Sequence, residues 1–162
     1  SCEPGQVGEI IVWGSIMMTE YWQDPVKTEE TIRGGWLHTG DLARMDEDGY
    51  FYLIDRARDM YISGGENVYP AEIERVLRVH PAIEDIAVVG APDETWGEVG
   101  YAFVIPKSGA DLTAAEVLGF CDGRLARYKW PRQVFFKKDF PRTALGKVRK
   151  TVLKQEYIER NK

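Results

Sequence analysis

Residues 63–74 read Ser-Gly-Gly-Glu-Asn-Val-Tyr-Pro-Ala-Glu-Ile-Glu, and this stretch decides the fold. Two glycines between short β-type runs predict a hairpin, because glycine readily adopts the positive φ angles of tight hairpin turns. Pro70 then predicts the first turn of a helix that places Ile73 and Leu77 on one apolar face. A hairpin that leads directly into a helix indicates a unit of the α+β type, which begins near Asp59.

The segment that follows alternates between helical and strand signals. Thr113 and Glu116 form a capping box, in which each side chain satisfies a backbone N–H of the other residue, so a second helix begins near Ala114. Strands are predicted at 83–89, 101–105 and 133–136, and a closing helix at 149–160. The sequence thus predicts an α+β domain with short sheets and about three helices.

The first 55 residues carry signals for strands alone. Runs of β-type residues lie at 9–13, 36–42 and 50–54, and the Asp48-Gly49 pair between the last two is typical of a hairpin. We interpret this part as strands of a small sheet or barrel. Because the first run starts within a few residues of Ser1, we expect the chain to begin inside a larger domain.

Composition places the chain among soluble globular proteins, with 44% hydrophobic and 29% charged residues. Cys2 and Cys121 form neither a metal-ligand spacing nor a disulfide framework, which favours a reducing compartment, so we expect a cytoplasmic location. Apolar runs fall far below the roughly 18 residues of a membrane span, which leaves peripheral membrane contact only. His38 and His80 have no ligand partners and are interpreted as structural, so no metal site is predicted.

Charge divides the chain sharply. Residues 124–154 contain eleven Lys or Arg and one acidic residue, whereas residues 1–123 contain eight basic and twenty-three acidic residues. Such asymmetry indicates a partner with clustered negative charge, although a basic end that merely neutralises the acidic body explains it equally well. Within this segment Lys147 follows Gly146, which favours close approach of a backbone and an ammonium to a phosphate.

Four motifs follow one another along the chain. They are Gly-Trp-Leu-His-Thr-Gly-Asp at 35–41, Asp-Arg-Ala-Arg-Asp at 55–59, the stretch at 63–74, and Pro-Arg-Thr-Ala-Leu-Gly-Lys-Val-Arg-Lys at 141–150. Together they resemble the C-terminal third of the adenylate-forming enzymes, which include acyl-CoA synthetases, firefly luciferase and the adenylation domains of nonribosomal peptide synthetases. The hairpin tip and the segment 124–129 resemble medium- to long-chain fatty acyl-CoA synthetases most.

The resemblance implies a division of the chain and a reaction. Residues 1–57 would form the end of a large N-terminal adenylation domain, and residues 58–162 a small mobile lid domain that swings about a hinge at Arg58. Such enzymes join a carboxylate to ATP, release pyrophosphate, and let the thiol of CoA attack the acyl-adenylate. We therefore expect part of an ATP- and Mg-dependent fatty acid–CoA ligase, an acid–thiol ligase. Its phosphate loop, Mg contacts and acyl pocket would precede residue 1, so the chain alone is expected to be inactive.

For adenylation, the resemblance implies roles for three residues. Asp41 would hold the ribose hydroxyls of ATP, because an ionised carboxylate accepts two hydrogen bonds from a vicinal diol. Arg56 would lie near the ribose and the α-phosphate, with a surface ion pair to Asp55 or Asp59 as the alternative. Lys147 would reach the α-phosphate and the substrate carboxylate, where a preorganised ammonium stabilises the charge of the transition state.

For thioester formation, the resemblance implies a second set of contacts. The predicted CoA contacts are Gly64, Gly65, Glu66, Trp96, Lys129 and Arg132. The hairpin residues would line the pantetheine tunnel, Trp96 would stack on the adenine, and the two cations would contact the phosphates. The alternatives are a packing tryptophan and solvated surface cations. Trp130 departs from the aliphatic or basic residue that relatives often carry.

Two other functions remain open from the residues. The chain could belong to an aryl- or aminoacyl-activating adenylation domain, which hands its product to a carrier protein. It could also be a stand-alone module for nucleotide or nucleic acid, because aromatic residues interleave with the basic ones near Trp130. The acidic body and the glycine hairpin have no role in the second reading, so we expect small-molecule substrates and no nucleic acid.

Overall fold

The computed structural model describes residues 2–160, and the chain divides into two units, Ser1–Arg58 and Asp59–Lys162. This boundary lies one residue from the predicted boundary between residues 57 and 58. The α+β fold class is confirmed.

The first unit is a four-stranded antiparallel sheet with one short helix. Its elements are β1 (Val7–Val12), α1 (Pro25–Thr31), β2 (Ile32–Arg33), β3 (Trp36–Met45) and β4 (Phe51–Arg56). The long strand β3 pairs with the other three strands, and the predicted Asp-Gly hairpin joins it to β4. Helix α1 was not predicted. It begins with Asp24 as N-cap and Pro25 in its first turn, but it buries no residue and so lacks an apolar stripe.

The second unit contains the predicted hairpin, helices and strands. Its elements are β5 (Tyr61–Ser63), β6 (Glu66–Val68), α2 (Pro70–Arg78), β7 (Ile83–Asp93), β8 (Gly97–Pro106), α3 (Ala114–Gly119), a 3₁₀ turn (Arg127–Lys129), β9 (Gln133–Phe136) and α4 (Lys150–Arg160). The sheet order is β6-β5-β8-β7, and β9 pairs with β8 in parallel. The capping box of Thr113 and Glu116 is present at α3.

Both faces of the β7–β8 pair are buried. Ile86 and Val88 belong to a core cluster with Ile73 of α2 and Val117 of α3, whereas their neighbours Ala87 and Val89 belong to a second cluster with Leu153 of α4. Successive residues of a strand point to opposite faces, so the two clusters cover opposite sides of the sheet. Trp130 packs against the first cluster and Val148 against the second. The segments that carry Lys129 and Lys147 therefore lie on opposite faces.

Candidate functional site

Five of the eleven cations of the basic segment form ion pairs. The pairs are Lys129 with Glu72, Lys137 with Glu156, Arg142 with Asp85, Lys150 with Glu74 and Lys154 with Glu98. The neutralising explanation of the charge asymmetry therefore applies to four of these side chains, because Glu156 lies outside residues 1–123. Lys147 differs from these five, because its side chain is exposed and its ammonium has no ion pair within the described part of the chain, as is also true of Lys138.

Lys147 ends an ordered turn. The N–H of Thr143 donates to the carbonyl of Lys147 at 2.8 Å, and the N–H of Gly146 donates to the carbonyl of Thr143 at 2.9 Å. The N–H of Lys147 donates to the hydroxyl of Thr143 at 3.2 Å. Gly146 has φ +80°, a conformation that L side chains rarely adopt, which explains the glycine before this lysine. The backbone of Lys147 is thus fixed while its ammonium faces solvent.

Asp41 and Arg56 meet in the first unit. They are register partners on β3 and β4, and Arg56 Nε donates to Asp41 Oδ1 at 2.6 Å. The alternative partner Asp55 instead accepts a hydrogen bond from the backbone N–H of Arg56. The contact joins one N–H of the guanidinium to one carboxylate oxygen. Both groups have further hydrogen-bonding capacity, so a polar ligand could bind to them.

A bulge in β3 presents Asp41. Glu9 of β1 pairs with Leu42 and Ile11 with His38, so three residues of β3 stand opposite one residue of β1. Glu9 accepts from the N–H of Gly40 at 3.0 Å and from His38 Nδ1 at 2.8 Å. The hydrogen bond from His38 is the main reason that the pKa of Glu9 is lowered, although burial opposes it. His38 therefore has a structural partner, in agreement with its interpretation from sequence.

Trp96 lies directly on the glycine hairpin. The N–H of Gly64 donates to the carbonyl of Trp96 at 2.9 Å, and a Cβ at Gly64 would approach Trp96 Cε3 to 2.7 Å. Gly64 and Gly65 have φ +60° and +87°, as a tight turn requires. No atom lies within 4 Å of a Cβ placed at Gly65, so this glycine borders open space. Glycine at 64 is thus needed for the tryptophan, and glycine at 65 for the turn.

A cavity of about 680 Å³ opens beside the hairpin. It is lined by Ser63, Trp96, Val99, Gly100, Leu118, Arg127, Tyr128, Trp130, Pro131 and Arg132. The guanidinium of Arg127 lies 3.9 Å from the centre of the Trp130 ring, and the N–H of Arg132 donates to the carbonyl of Gly100 at 2.7 Å. Aromatic walls with two guanidinium groups suit a flat, anionic ligand.

The structure groups the predicted CoA residues only in part. Trp96 and Arg132 share the cavity, whereas Gly65 and Glu66 lie on the exposed hairpin outside its lining. Lys129 also lies outside the lining, and its ammonium donates to both oxygens of Glu72 at 2.8 Å. Burial lowers the pKa of Lys129, but the hydrogen bond and charge of Glu72 outweigh it and the pKa is raised. The charge of Lys129 is thus already neutralised by Glu72, and a phosphate would have to compete with this carboxylate for the ammonium.

Sequence reasoning did not assign Arg127 to the site. Arg127 begins the 3₁₀ turn and Trp130 directly follows it. In a 3₁₀ turn the side chains of residues i and i+3 are aligned, so Arg127 lies over Trp130. An arginine three residues before a tryptophan was therefore the signal that could have found this residue.

No helix within residues 2–160 is long and apolar enough to cross a membrane. No group of three or more His, Cys, Asp or Glu side chains in this range is placed to hold a metal ion. Cys2 and Cys121 are both free thiols, and burial raises the pKa of Cys121 to about 11.

Comparison with known proteins places the chain in a class. Residues 72–147 match the AMP-binding enzyme C-terminal domain. The predicted resemblance to the C-terminal part of the adenylate-forming enzymes is confirmed by this match and by the relatives.

Individual relatives carry the comparison further. Over 152 residues the chain is 49% identical to a 2-succinylbenzoate–CoA ligase of Geobacillus kaustophilus, covering 94% of this chain and 31% of the relative. Over 150 residues it is 44% identical to a long-chain-fatty-acid–CoA ligase of Mycobacterium tuberculosis, covering 93% and 30%. The crystal structure of ATP-bound MatB from Rhodopseudomonas palustris matches with a TM-score of 0.87 and 40% identity, covering 96% of this chain and 31% of that one. The chain thus spans less than a third of the length of these relatives.

Proposed function

We propose that the chain is the C-terminal part of an ATP-dependent acyl-CoA ligase, in which Lys147 serves adenylation. The observation that carries the proposal is the exposed ammonium of Lys147, which stands on an ordered turn without an ion pair among the described residues, whereas Arg142 and Lys150 of the same segment are paired. Charge develops on phosphorus-bound oxygens when a carboxylate attacks ATP, and a preorganised ammonium stabilises that charge without reorganisation. A lysine already bound to a carboxylate would contribute much less.

Asp41 and Arg56 would bind the ATP ribose and α-phosphate in the same step. Their contact joins an acceptor for hydroxyl groups to a forked donor for phosphate oxygens, so one pair offers both functions. Arg58, the last residue of the first unit, is the proposed hinge of the lid. ATP is the proposed co-substrate and magnesium the proposed cofactor, with no magnesium ligand assigned among the described residues.

The cavity is the proposed site of the CoA nucleotide. Trp96 would stack on the adenine of CoA, while Arg132 and Arg127 would neutralise the phosphates of CoA. The hairpin tip of Gly64, Gly65 and Glu66 would guide the pantetheine arm. Lys129 contributes in this proposal only if a phosphate displaces Glu72, so Arg127 is the stronger candidate cation.

A fatty acid is the first candidate for the carboxylate substrate, because the hairpin tip and the segment 124–129 resemble fatty acyl-CoA synthetases, and the chain is 44% identical to the long-chain-fatty-acid–CoA ligase. An aromatic acid is the second candidate, since identity to the 2-succinylbenzoate–CoA ligase is 49%. A panel of palmitate, octanoate and 2-succinylbenzoate in ATP–pyrophosphate exchange by the intact protein separates the two. The acid with the highest kcat/KM decides between them.

The test of the adenylation role is Lys147→Ala in the intact protein that carries this sequence. ATP–pyrophosphate exchange should fall by about 10² to 10³, the effect of removing one preorganised donor. Acyl transfer to CoA from supplied acyl-adenylate should keep nearly its original rate. Lys138→Ala, which removes another exposed lysine of the basic segment, is the control. Equal losses in the two half-reactions would contradict the proposal.

A further inference from the structure

Arg142 links the turn of Lys147 to the central sheet. Its Nη1 donates to the carbonyl of Gly146 at 3.1 Å, and its Nη2 donates to Asp85 Oδ2 at 2.6 Å. Gly146 directly precedes Lys147, and Asp85 lies on β7. One side chain therefore ties the peptide next to the lysine to a strand of the core.

The sheet end of this link is rigid. Asp85 pairs with Ile105 in the β7–β8 register, and the N–H of Ile86 donates to Asp85 Oδ1 at 2.8 Å. Arg78 of α2 places a second guanidinium 3.6 Å from the same oxygen. Ile86 itself is only 1% exposed. Asp85 thus offers Arg142 a carboxylate whose position is fixed by buried backbone.

At the other end of the link, the turn is held by hydrogen bonds within its own segment. Thr143 holds the turn from within, while Leu145 at its tip is 89% exposed. The base of the segment is held by the buried Phe140 and by the N–H of Arg149, which donates to the carbonyl of Pro141 at 2.7 Å. These contacts fix where the turn begins and ends. The Arg142 contact fixes the peptide immediately before Lys147.

From this geometry we infer that Arg142 is a positioning residue for Lys147, an inference that rests on the proposed adenylation role. Arginine suits the task because its planar fork donates to two acceptors in fixed directions, and both hydrogen bonds are charge-assisted. Reaction rates are sensitive to displacements of about 1 Å in a catalytic group. Arg142 acts through Lys147 and touches no reacting atom.

The structural part of the inference is tested without activity. Hydrogen–deuterium exchange of the segment that contains the amides of Gly146 and Lys147 should be about tenfold faster in Arg142→Met and in Asp85→Asn than in the parent, because the first change removes the linking side chain and the second removes the negative charge that holds it. Arg149→Met removes an exposed arginine of the same segment and serves as the control, with exchange unchanged. Unchanged exchange in both test variants would overturn the inference.

The functional part is tested by a double-mutant cycle in the intact protein. Arg142→Met should lower kcat for ATP–pyrophosphate exchange about tenfold with little change in KM, and leave acyl transfer from supplied adenylate unchanged. Arg142→Lys replaces the forked guanidinium with a single ammonium, so its kcat for ATP–pyrophosphate exchange should lie between those of the parent and of Arg142→Met. In the Lys147→Ala background, Arg142→Met should cause no further loss, because its target is gone.

The outcomes separate the two claims. A full tenfold loss from Arg142→Met in the Lys147→Ala background would show a general structural role and overturn the positioning role. A normal rate of ATP–pyrophosphate exchange in the Lys147→Ala single variant would overturn the proposed function itself. A large loss in Lys147→Ala with none in Arg142→Met would leave the proposed function standing and overturn only the inference.

Discussion

The segments 127–132 and 141–150 are both basic, yet they hold their lysines in opposite ways. Lys129 donates to both oxygens of Glu72, whereas the ammonium of Lys147 is exposed on a turn whose backbone is fixed. The two segments also pack on opposite faces of the β7–β8 pair. The contrast teaches that a cluster of positive charge does not identify a functional cation. What matters is which charges the fold has already compensated.

After the Lys147→Ala test, the largest effect that sharpens this contrast is expected from Trp96→Ala in the intact protein. Loss of a stacking surface should slow acyl transfer to CoA about tenfold at subsaturating CoA, since stacking of a base on an aromatic ring contributes about 1–3 kcal/mol. Adenylation should be unaffected, because the cavity-lining segment 127–132 and the Lys147 segment pack on different faces of the sheet. Rates of the two half-reactions measure the split.

A control for this experiment is available at Tyr128, which lines the same cavity and is 40% exposed. Tyr128→Phe keeps the ring and should leave both half-reactions nearly unchanged. If Trp96→Ala slowed adenylation as much as acyl transfer, the division of labour between the two faces would be wrong.

The next effect concerns stability. Lys129→Met in the 162-residue chain should lower the free energy of unfolding by about 1–2 kcal/mol, because it leaves the partly buried Glu72 without its partner. Lys147→Met should change it by less than about 0.5 kcal/mol, as expected for an exposed side chain. Urea unfolding of both variants at pH 7 provides the comparison. A Lys147 variant as unstable as the Lys129 variant would erase the contrast.

The smallest effect is a pH dependence on the face that supports the Lys147 segment. Burial chiefly, and then Tyr157, raises the pKa of Tyr101 to about 12. Because this value lies above the ordinary value of 10, the neutral hydroxyl contributes stability that is fully present below pH 10. That contribution is lost as the pH rises towards 12. Tyr101→Phe should flatten the decline in stability between pH 10 and 12.

Urea unfolding at pH 7, 10 and 11 measures this effect. At pH 7 the substitution should cost less than about 1 kcal/mol, since the hydroxyl–hydroxyl contact with Tyr157 is long at 3.3 Å. An identical alkaline decline in the parent and in Tyr101→Phe would remove Tyr101 as its cause.

Local patterns were sufficient for most elements of the second unit. The glycine pair gave the β5–β6 hairpin, Pro70 the start of α2, and the capping box the start of α3. Helix α1 escaped prediction because it lacks an apolar face, and the strands β7 and β8 extend beyond the predicted runs into residues 90–93 and 97–100, where glycine and proline weaken the strand signal. Hydrophobic periodicity finds buried elements and misses exposed ones.

Pairing across long sequence distances could not be read in the same way. Lys129 meets Glu72 across 57 residues, and Arg142 meets Asp85 across the same separation. Arg56 pairs with Asp41. The sequence indicated a ligand-binding role for each of these residues but not the contact between them. The cavity likewise combines the β5 end, the loop before β8 and the 3₁₀ turn.

The sequence by itself determined the fold class, the family and the identity of Lys147 as a candidate, because turns, caps and motifs are written in neighbouring residues. Only the tertiary structure decided that Lys147 is free while Lys129 is bound, and that Arg142 ties the turn to β7. The physical reason is that the electrostatic state of a side chain depends on the groups within a few ångströms in space. Those groups are brought together by the packing of the sheet and its helices, from positions far apart in the chain.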